Sequence, residues 1–103
     1  MKDVGGGIEI IKDDGYFEIV TEISAFSLHS GVDRDAIVAL LKENSEKTYN
    51  VDGEECLHVY QYSRNMIENL AKLDETNHYG EDFTMFLNEL FETESDVFYI
   101  DIC

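Results

Sequence analysis

The reading of this chain turns on Ile23-Ser24-Ala25-Phe26-Ser27-Leu28-His29-Ser30-Gly31-Val32 and the residues that follow it, Asp33-Arg34-Asp35-Ala36-Ile37-Val38-Ala39-Leu40-Leu41. Ile23, Phe26 and Ser27 stand at helical spacing. Small Ser27 lets a second helix approach, Gly31 permits a left-handed turn, and Ile37 and Leu40 face back across it. The spacing predicts a helix-turn-helix. Its first helix opens at Thr21 or Glu22 and runs to about Ser30; its second has an N-cap at Asp33 and continues to about Asn44.

On the N-terminal side, Ile8–Ile11 and Tyr16–Val20 are β-prone runs flanking Lys12-Asp13-Asp14-Gly15, and Asp-Gly between such runs predicts a β-hairpin. Gly5-Gly6-Gly7 reads as part of a flexible leader covering residues 1–7. On the C-terminal side, a polar loop over Ser45–Gly53 precedes a strand over Cys56–Tyr62. Ser63 caps a helix whose core face is Met66, Ile67, Leu70 and Leu73, and Asp74–Gly80 is a loop. A last helix, from Glu81 to about Thr93, turns Phe83, Phe86, Leu87, Leu90 and Phe91 inward. Val97–Ile102 alternates as a closing strand. The fold class expected is α+β: a small winged-helix-like domain with a β-hairpin, three to four helices and a C-terminal strand, its wing supplied by Tyr49-Asn50-Val51-Asp52-Gly53 and Leu57–Tyr62. Residues 8–103 form one acidic domain.

In the order of its elements and the apolar spacing of Ile23–Asn44, Leu57–Leu73 and Phe83–Phe91, the chain resembles the phage regulatory proteins called Rha. That resemblance implies a phage or prophage origin and a nucleic-acid-linked role, and it implies no catalytic residues. The chain departs from a DNA-binding pattern at the expected recognition helix, which begins Asp33-Arg34-Asp35. Glu22–Asn44 holds four acids and two bases, the wrong balance for neutralising phosphates.

Charge is the second deciding feature. The 103 residues hold 23 Asp and Glu against 7 Lys and Arg, a net of −16, where a small domain needs a magnitude of only about 2–8 for solubility. From Leu73 to Cys103 there are nine acids and no Lys or Arg. Asp82, Glu89, Glu92 and Asp96 are spaced to form one outward stripe opposite the Phe and Leu face of the last helix. Asp74, Glu75 and Glu81 extend the patch at one end, Glu94 and Asp101 at the other. A rigid row of carboxylates imitates a phosphate backbone to a protein with a basic groove, and Tyr60, Tyr62 and Tyr79 are candidate apolar anchors beside it.

Twelve Phe and Tyr spread through the chain argue against a disordered acidic tail. No apolar run approaches the ~18–20 residues of a membrane span, and residues 1–7 lack the apolar stretch of a signal peptide, so a cytoplasmic location is expected. Cys56 and Cys103 then read as reduced thiols. Zinc-ligand spacing is absent. The Asp74 loop fails as an EF-hand, with Tyr79 where that pattern needs glycine and Met85 where it needs glutamate. Gly5-Gly6-Gly7 is no phosphate loop, and no pair of carboxylates stands out for acid–base work. The expectation is a non-enzyme without metal or cofactor. By acidity and size the chain is similar to DNA-mimic inhibitors of the anti-CRISPR and anti-restriction type, binding a basic nucleic-acid-handling host protein (a CRISPR effector, a restriction enzyme or similar) with no direct nucleic-acid contact. The alternative is a Rha-like regulator that uses Arg34 and the wing on DNA as a homodimer; an adaptor that binds through an apolar patch is the third reading.

Overall fold

The computed structural model describes residues 2–13, 16–29, 32–50 and 58–103. Its elements are β1 (Lys2–Gly7), β2 (Ile10–Asp13), β3 (Tyr16–Ile19), β4 (Glu22–Leu28), α1 (Val32–Glu43), β5 (Lys47–Asn50), β6 (His58–Ser63), α2 (Arg64–Asn77), α3 (Glu81–Glu92) and β7 (Val97–Ile102). Five strands form one sheet in the order β4-β1-β7-β6-β5, and every neighbouring pair is antiparallel. The chain is an α+β domain with three helices among the described residues.

Strand alternation explains the layering. Phe98, Ile100 and Ile102 of β7 and Tyr60 and Tyr62 of β6 face one side of the sheet, where they join Ile37, Leu40 and Leu41 of α1, Ile67 and Leu70 of α2, and Phe83, Phe86, Leu87 and Leu90 of α3 in the main core. On the opposite side, Tyr49 and Val59 pack with Ile19 of the β2–β3 hairpin, and Ile10, Phe17 and Tyr99 close around them. Helices therefore cover one face and the hairpin part of the other. The hairpin register pairs Ile10 with Ile19 and Asp13 with Tyr16, as two β-prone runs around Asp-Gly require. Asp14 and Gly15 themselves lie outside the described residues.

The expected leader is instead β1, a strand with a partner on each side. Its glycines are there because neighbours press close. A Cβ on Gly6 would stand 2.9 Å from Phe86 Cζ and 3.0 Å from Leu90 Cδ2, and one on Gly7 would stand 2.5 Å from both Ile19 Cγ2 and the Thr21 carbonyl oxygen. Helix α3 lies on one glycine and the hairpin against the next.

The expected first helix, to about Ser30, is corrected to β4 over Glu22–Leu28, so Ile23–Leu41 forms no helix-turn-helix. The stretch carries two patterns at once. Ile23, Phe26 and Ser27 fit a helix, while Ser24, Phe26 and Leu28 fit a strand facing the core. Pairing with β1 decides for the strand, and the Phe26 ring settles 5.0 Å from that of Phe86 and 6.0 Å from that of Phe83, centroid to centroid.

The second helix does form as α1. It begins at Val32, which places Asp33 inside it and not at the cap. Within the expected loop Ser45–Gly53, Lys47–Asn50 is the strand β5, antiparallel to β6, which takes in 58–62 of the expected wing; residues 51–57 lie outside the described residues. Ser63 caps α2 as expected, its Oγ accepting from the Met66 N–H at 3.3 Å. The helix runs past Leu73 to Asn77, so Asp74 and Glu75 are helical and the loop shrinks to His78–Gly80. A left-handed His78 (φ 53°) ends the helix, its N–H donating to the Asp74 carbonyl at 2.8 Å. The Tyr62 phenol is buried, which raises its pKa, and it donates to the Leu41 carbonyl at 2.5 Å, tying β6 to α1.

Candidate functional site

Phe83, Phe86, Leu87 and Leu90 clamp α3 onto the core, and the 3.6-residue repeat then dictates what faces out. Glu81, Met85, Asn88 and Glu92 form the middle of the exposed face, and Asp82 and Glu89 flank it beside Met85; all six are exposed. From Glu81 to Glu92 this face extends about 16 Å at 1.5 Å per residue. Met85, 52% exposed, is an apolar side chain in the middle of the carboxylates. None of the tyrosines expected as apolar anchors is on this face. Tyr60 and Tyr62 are buried, and Tyr79 packs edge-on against Phe83 with ring centroids 5.9 Å apart.

Glu81 and Asp82 sit in the first turn of α3, where the helix dipole favours anions. Glu89 and Glu92 sit at the other end, where it does not. Compensation comes from Arg64, whose guanidinium donates to the carbonyls of Phe91 (2.8 Å), Thr93 (3.1 Å) and Ser95 (3.1 Å). Glu94 and Asp96 line a shallow groove of about 460 Å³ with Arg64 and Ser95. Asp96 lies past the helix, so the expected four-residue stripe breaks after Glu92; its carbonyl accepts from the Arg64 N–H at 3.2 Å.

At the other end, Glu75 and Glu81 line a groove of about 320 Å³ with His78, Gly80 and Thr84. Asp74 lines the same groove but is not a surface group. It is 6% exposed, and its carboxylate accepts from the Tyr79 N–H at 3.2 Å and from Thr84 Oγ1 at 2.5 Å, making it the joint between α2 and α3. Of the nine acids expected to form one patch, Glu81, Asp82, Glu89 and Glu92 share the α3 face. Glu75 stands at its start and Glu94 and Asp96 at its end, while Asp74 is structural.

Asp101, expected as an extension of this patch, is on the opposite face of the sheet. The β7 alternation that turns Ile100 and Ile102 to the helices sends Asp101 the other way, a signal present in the sequence. There it lines a groove of about 430 Å³ with Asp3, Gly5, Glu22, Ala25, Ser27 and Cys103. Burial raises its carboxyl to about 6; the Gly5 N–H, donating to it at 3.1 Å, pulls the other way, and Glu22 and Glu18 push it up further.

Cys103 is disulfide-bonded, a correction to the expected reduced thiol; Cys56 lies outside the described residues. Among the described residues no group of three or more His, Cys, Asp or Glu side chains is placed to hold a metal ion, and no helix is long and apolar enough to cross a membrane. Arg34, the base the regulator reading would use on DNA, stands 3.5 Å from its neighbour Asp35 in an ion pair. Compared with family models, curated proteins and solved structures, the chain matches none.

Proposed function

We propose that the exposed face of α3 binds a basic, nucleic-acid-handling protein and occupies its cationic groove in place of polynucleotide. The observation that carries this reading is the set Glu81, Asp82, Glu89 and Glu92 on one rigid helix face, with Met85 exposed among them and no lysine or arginine in the chain after Lys72. Carboxylates spaced along about 16 Å of helix meet lysines and arginines that otherwise hold phosphates, and Met85 supplies an apolar contact at the centre. Inhibition is then stoichiometric: the groove is filled and nucleic acid is excluded. The agents suited to this are phage or mobile-element inhibitors, and the targets are CRISPR effectors, restriction enzymes and proteins with similar grooves.

The test uses immobilised wild-type protein and the Glu89→Lys/Glu92→Lys variant against host extract. A captured protein supports the reading if duplex DNA competes it off, if high salt releases it, and if the variant fails to hold it. A partner retained equally by the variant refutes it and favours an adaptor. Binding of the isolated chain to duplex DNA in a gel shift at physiological salt refutes it in favour of a regulator.

A further inference from the structure

Strand β4 is an edge of the five-stranded sheet, bonded to β1 on its inner side and, among the described residues, to no strand on its outer side. The ladder fixes which backbone groups it leaves over. Asp3 and Cys103 exchange both of their backbone hydrogen bonds, at 3.0 and 2.8 Å, so Asp3 and Gly5 turn their N–H and C=O toward β7 while Lys2, Val4 and Gly6 turn theirs toward β4. Leu28, Phe26 and Ser24 answer them through the register, and the N–H and C=O of Ala25 and Ser27 point away from the sheet. Such a row is a template for a further strand, and β4, seven residues without lysine, arginine or proline, does little to blunt it.

The side chains beside that row are acidic. Ala25 and Ser27 are small and exposed, and they share a groove of about 430 Å³ with Asp3, Glu22 and Asp101. Ser27 Oγ donates to Asp3 Oδ1 at 2.8 Å. Gly5 pairs with Ala25 on one side and Asp101 on the other, and a Cβ on it would stand 2.8 Å from Asp101 Oδ1 and 3.0 Å from Glu22 Oε2. Both carboxyl groups therefore lean over one glycine. Among the described residues no lysine or arginine lines this groove, and none of its three carboxyl groups is in an ion pair. On the other face of the strand, Phe26 is half-buried against Phe83 and Phe86.

We infer that the β4 edge takes up an extended cationic segment of another polypeptide as an added strand, its lysines or arginines reaching across Ala25 and Ser27 to Glu22, Asp101 and Asp3, and its alternate apolar residues extending the layer of Phe26. Charge selects this occupant. A second copy would bring its own Asp3, Glu22 and Asp101 to a groove that already crowds three carboxyl groups, and an acidic strand would be repelled in the same way. A cation entering the groove instead relieves the crowding. Long basic stems can cross β4 because the side chains they pass are those of an alanine and a serine. Backbone pairing supplies the direction of the strand, and the alternation of its side chains follows from the pleat.

This inference does not depend on the reading of α3, because the groove lies on the hairpin side of the sheet and α3 on the other. The probe is a synthetic peptide with blocked ends, as long as β4 and alternating valine and lysine, titrated into the wild-type protein by calorimetry and mapped by amide hydrogen exchange. The expected result is one-to-one binding that weakens as salt rises, with protection gained in residues 22–28. Glu22→Gln/Asp101→Asn should weaken it about tenfold; both replacements keep the side-chain shape, and the asparagine keeps an acceptor for the Gly5 N–H. N-methylation of the peptide backbone keeps every charge, removes the donors a strand needs and should abolish binding. A wild-type protein that does not bind the peptide overturns the inference. So does binding that is equally tight for a valine–glutamate peptide, for the N-methylated peptide or for Glu22→Gln/Asp101→Asn. Binding that leaves 22–28 unprotected and is lost with Glu89→Lys/Glu92→Lys places the peptide on α3 and overturns the assignment to β4.

Discussion

The guanidinium of Arg64, the first residue of α2, donates to the carbonyl oxygen of Phe91 in the last turn of α3 at 2.8 Å. Its guanidinium carbon also lies 5.5 Å from the Phe91 ring centroid and 5.8 Å from that of Phe98. A helix C-terminus favours a cation, and α3 has no base in its last turn. The cation arrives from a different helix. This lets the C-terminal part of the acidic face stay free of bases without leaving the end of α3 uncompensated.

Arg64→Met should therefore cost about 2–3 kcal/mol, because three carbonyls lose a charged donor while the apolar stem is kept. Arg64→Lys should recover less than half of that, since an ammonium does not reproduce the fork that reaches Phe91, Thr93 and Ser95. Urea denaturation followed by far-UV circular dichroism measures both, and equal stability of wild type and Arg64→Met would refute the capping role.

Gly6→Ala places a methyl group against Phe86 and Leu90, whose side-chain tips are able to shift; the expected loss is about 1–2 kcal/mol. Gly7→Ala meets the Thr21 carbonyl oxygen at 2.5 Å, and backbone does not move as a side-chain tip does, so its loss should exceed that of Gly6→Ala. Thermal melts of the two variants check the order. Were 1–7 a leader, neither substitution would lower the melting temperature.

Asp101 imposes a pH dependence of known sign. Its carboxyl is raised from 3.8 to about 6, so the folded chain holds the proton more tightly than the unfolded one. The stabilisation from the neutral acid is complete below the unfolded value and is lost as pH rises through about 6. Asp101→Asn should therefore stabilise the protein at pH above 7, by on the order of 1 kcal/mol once partial solvent screening is allowed for, and give no advantage at pH near 4. Denaturation of both proteins at the two pH values, compared as a difference, isolates this group from the other acids.

Asp74 should behave as a structural residue. Asp74→Ala leaves the Tyr79 N–H and the Thr84 hydroxyl without their acceptor and should cost about 1–3 kcal/mol, while capture of a basic partner by the folded variant stays at the wild-type level. Glu92→Lys should show the reverse: a stability change within about 0.5 kcal/mol and a loss of capture.

Local signals in the chain were strong where one pattern stood alone. The run Phe83, Phe86, Leu87, Leu90 admits only an amphipathic helix, and it orients Glu81, Asp82, Glu89 and Glu92 outward whatever the rest of the chain does. Ser63 before Arg64 and the Asp-Gly pair between two β-prone runs were legible for the same reason. Where a segment carried two patterns, or none, the chain alone did not decide. Ile23–Leu28 satisfies both helical and strand spacing, and Gly5-Gly6-Gly7 has no side chains from which a pattern could be read.

Charge, the helical face of α3 and the α+β character were thus set by residue order, because they depend on composition and on neighbours within a few positions. The role of β4, the placing of three glycines in the sheet, the burial of Asp74 and the packing of the Asp101 carboxyl against Gly5 were set by tertiary contacts. Each depends on which remote element lies against it: β1 against β4, Phe86 against Gly6, Thr84 against Asp74 and Gly5 against Asp101. Contacts between residues as far apart as Gly5 and Asp101 leave no periodic trace in a single chain.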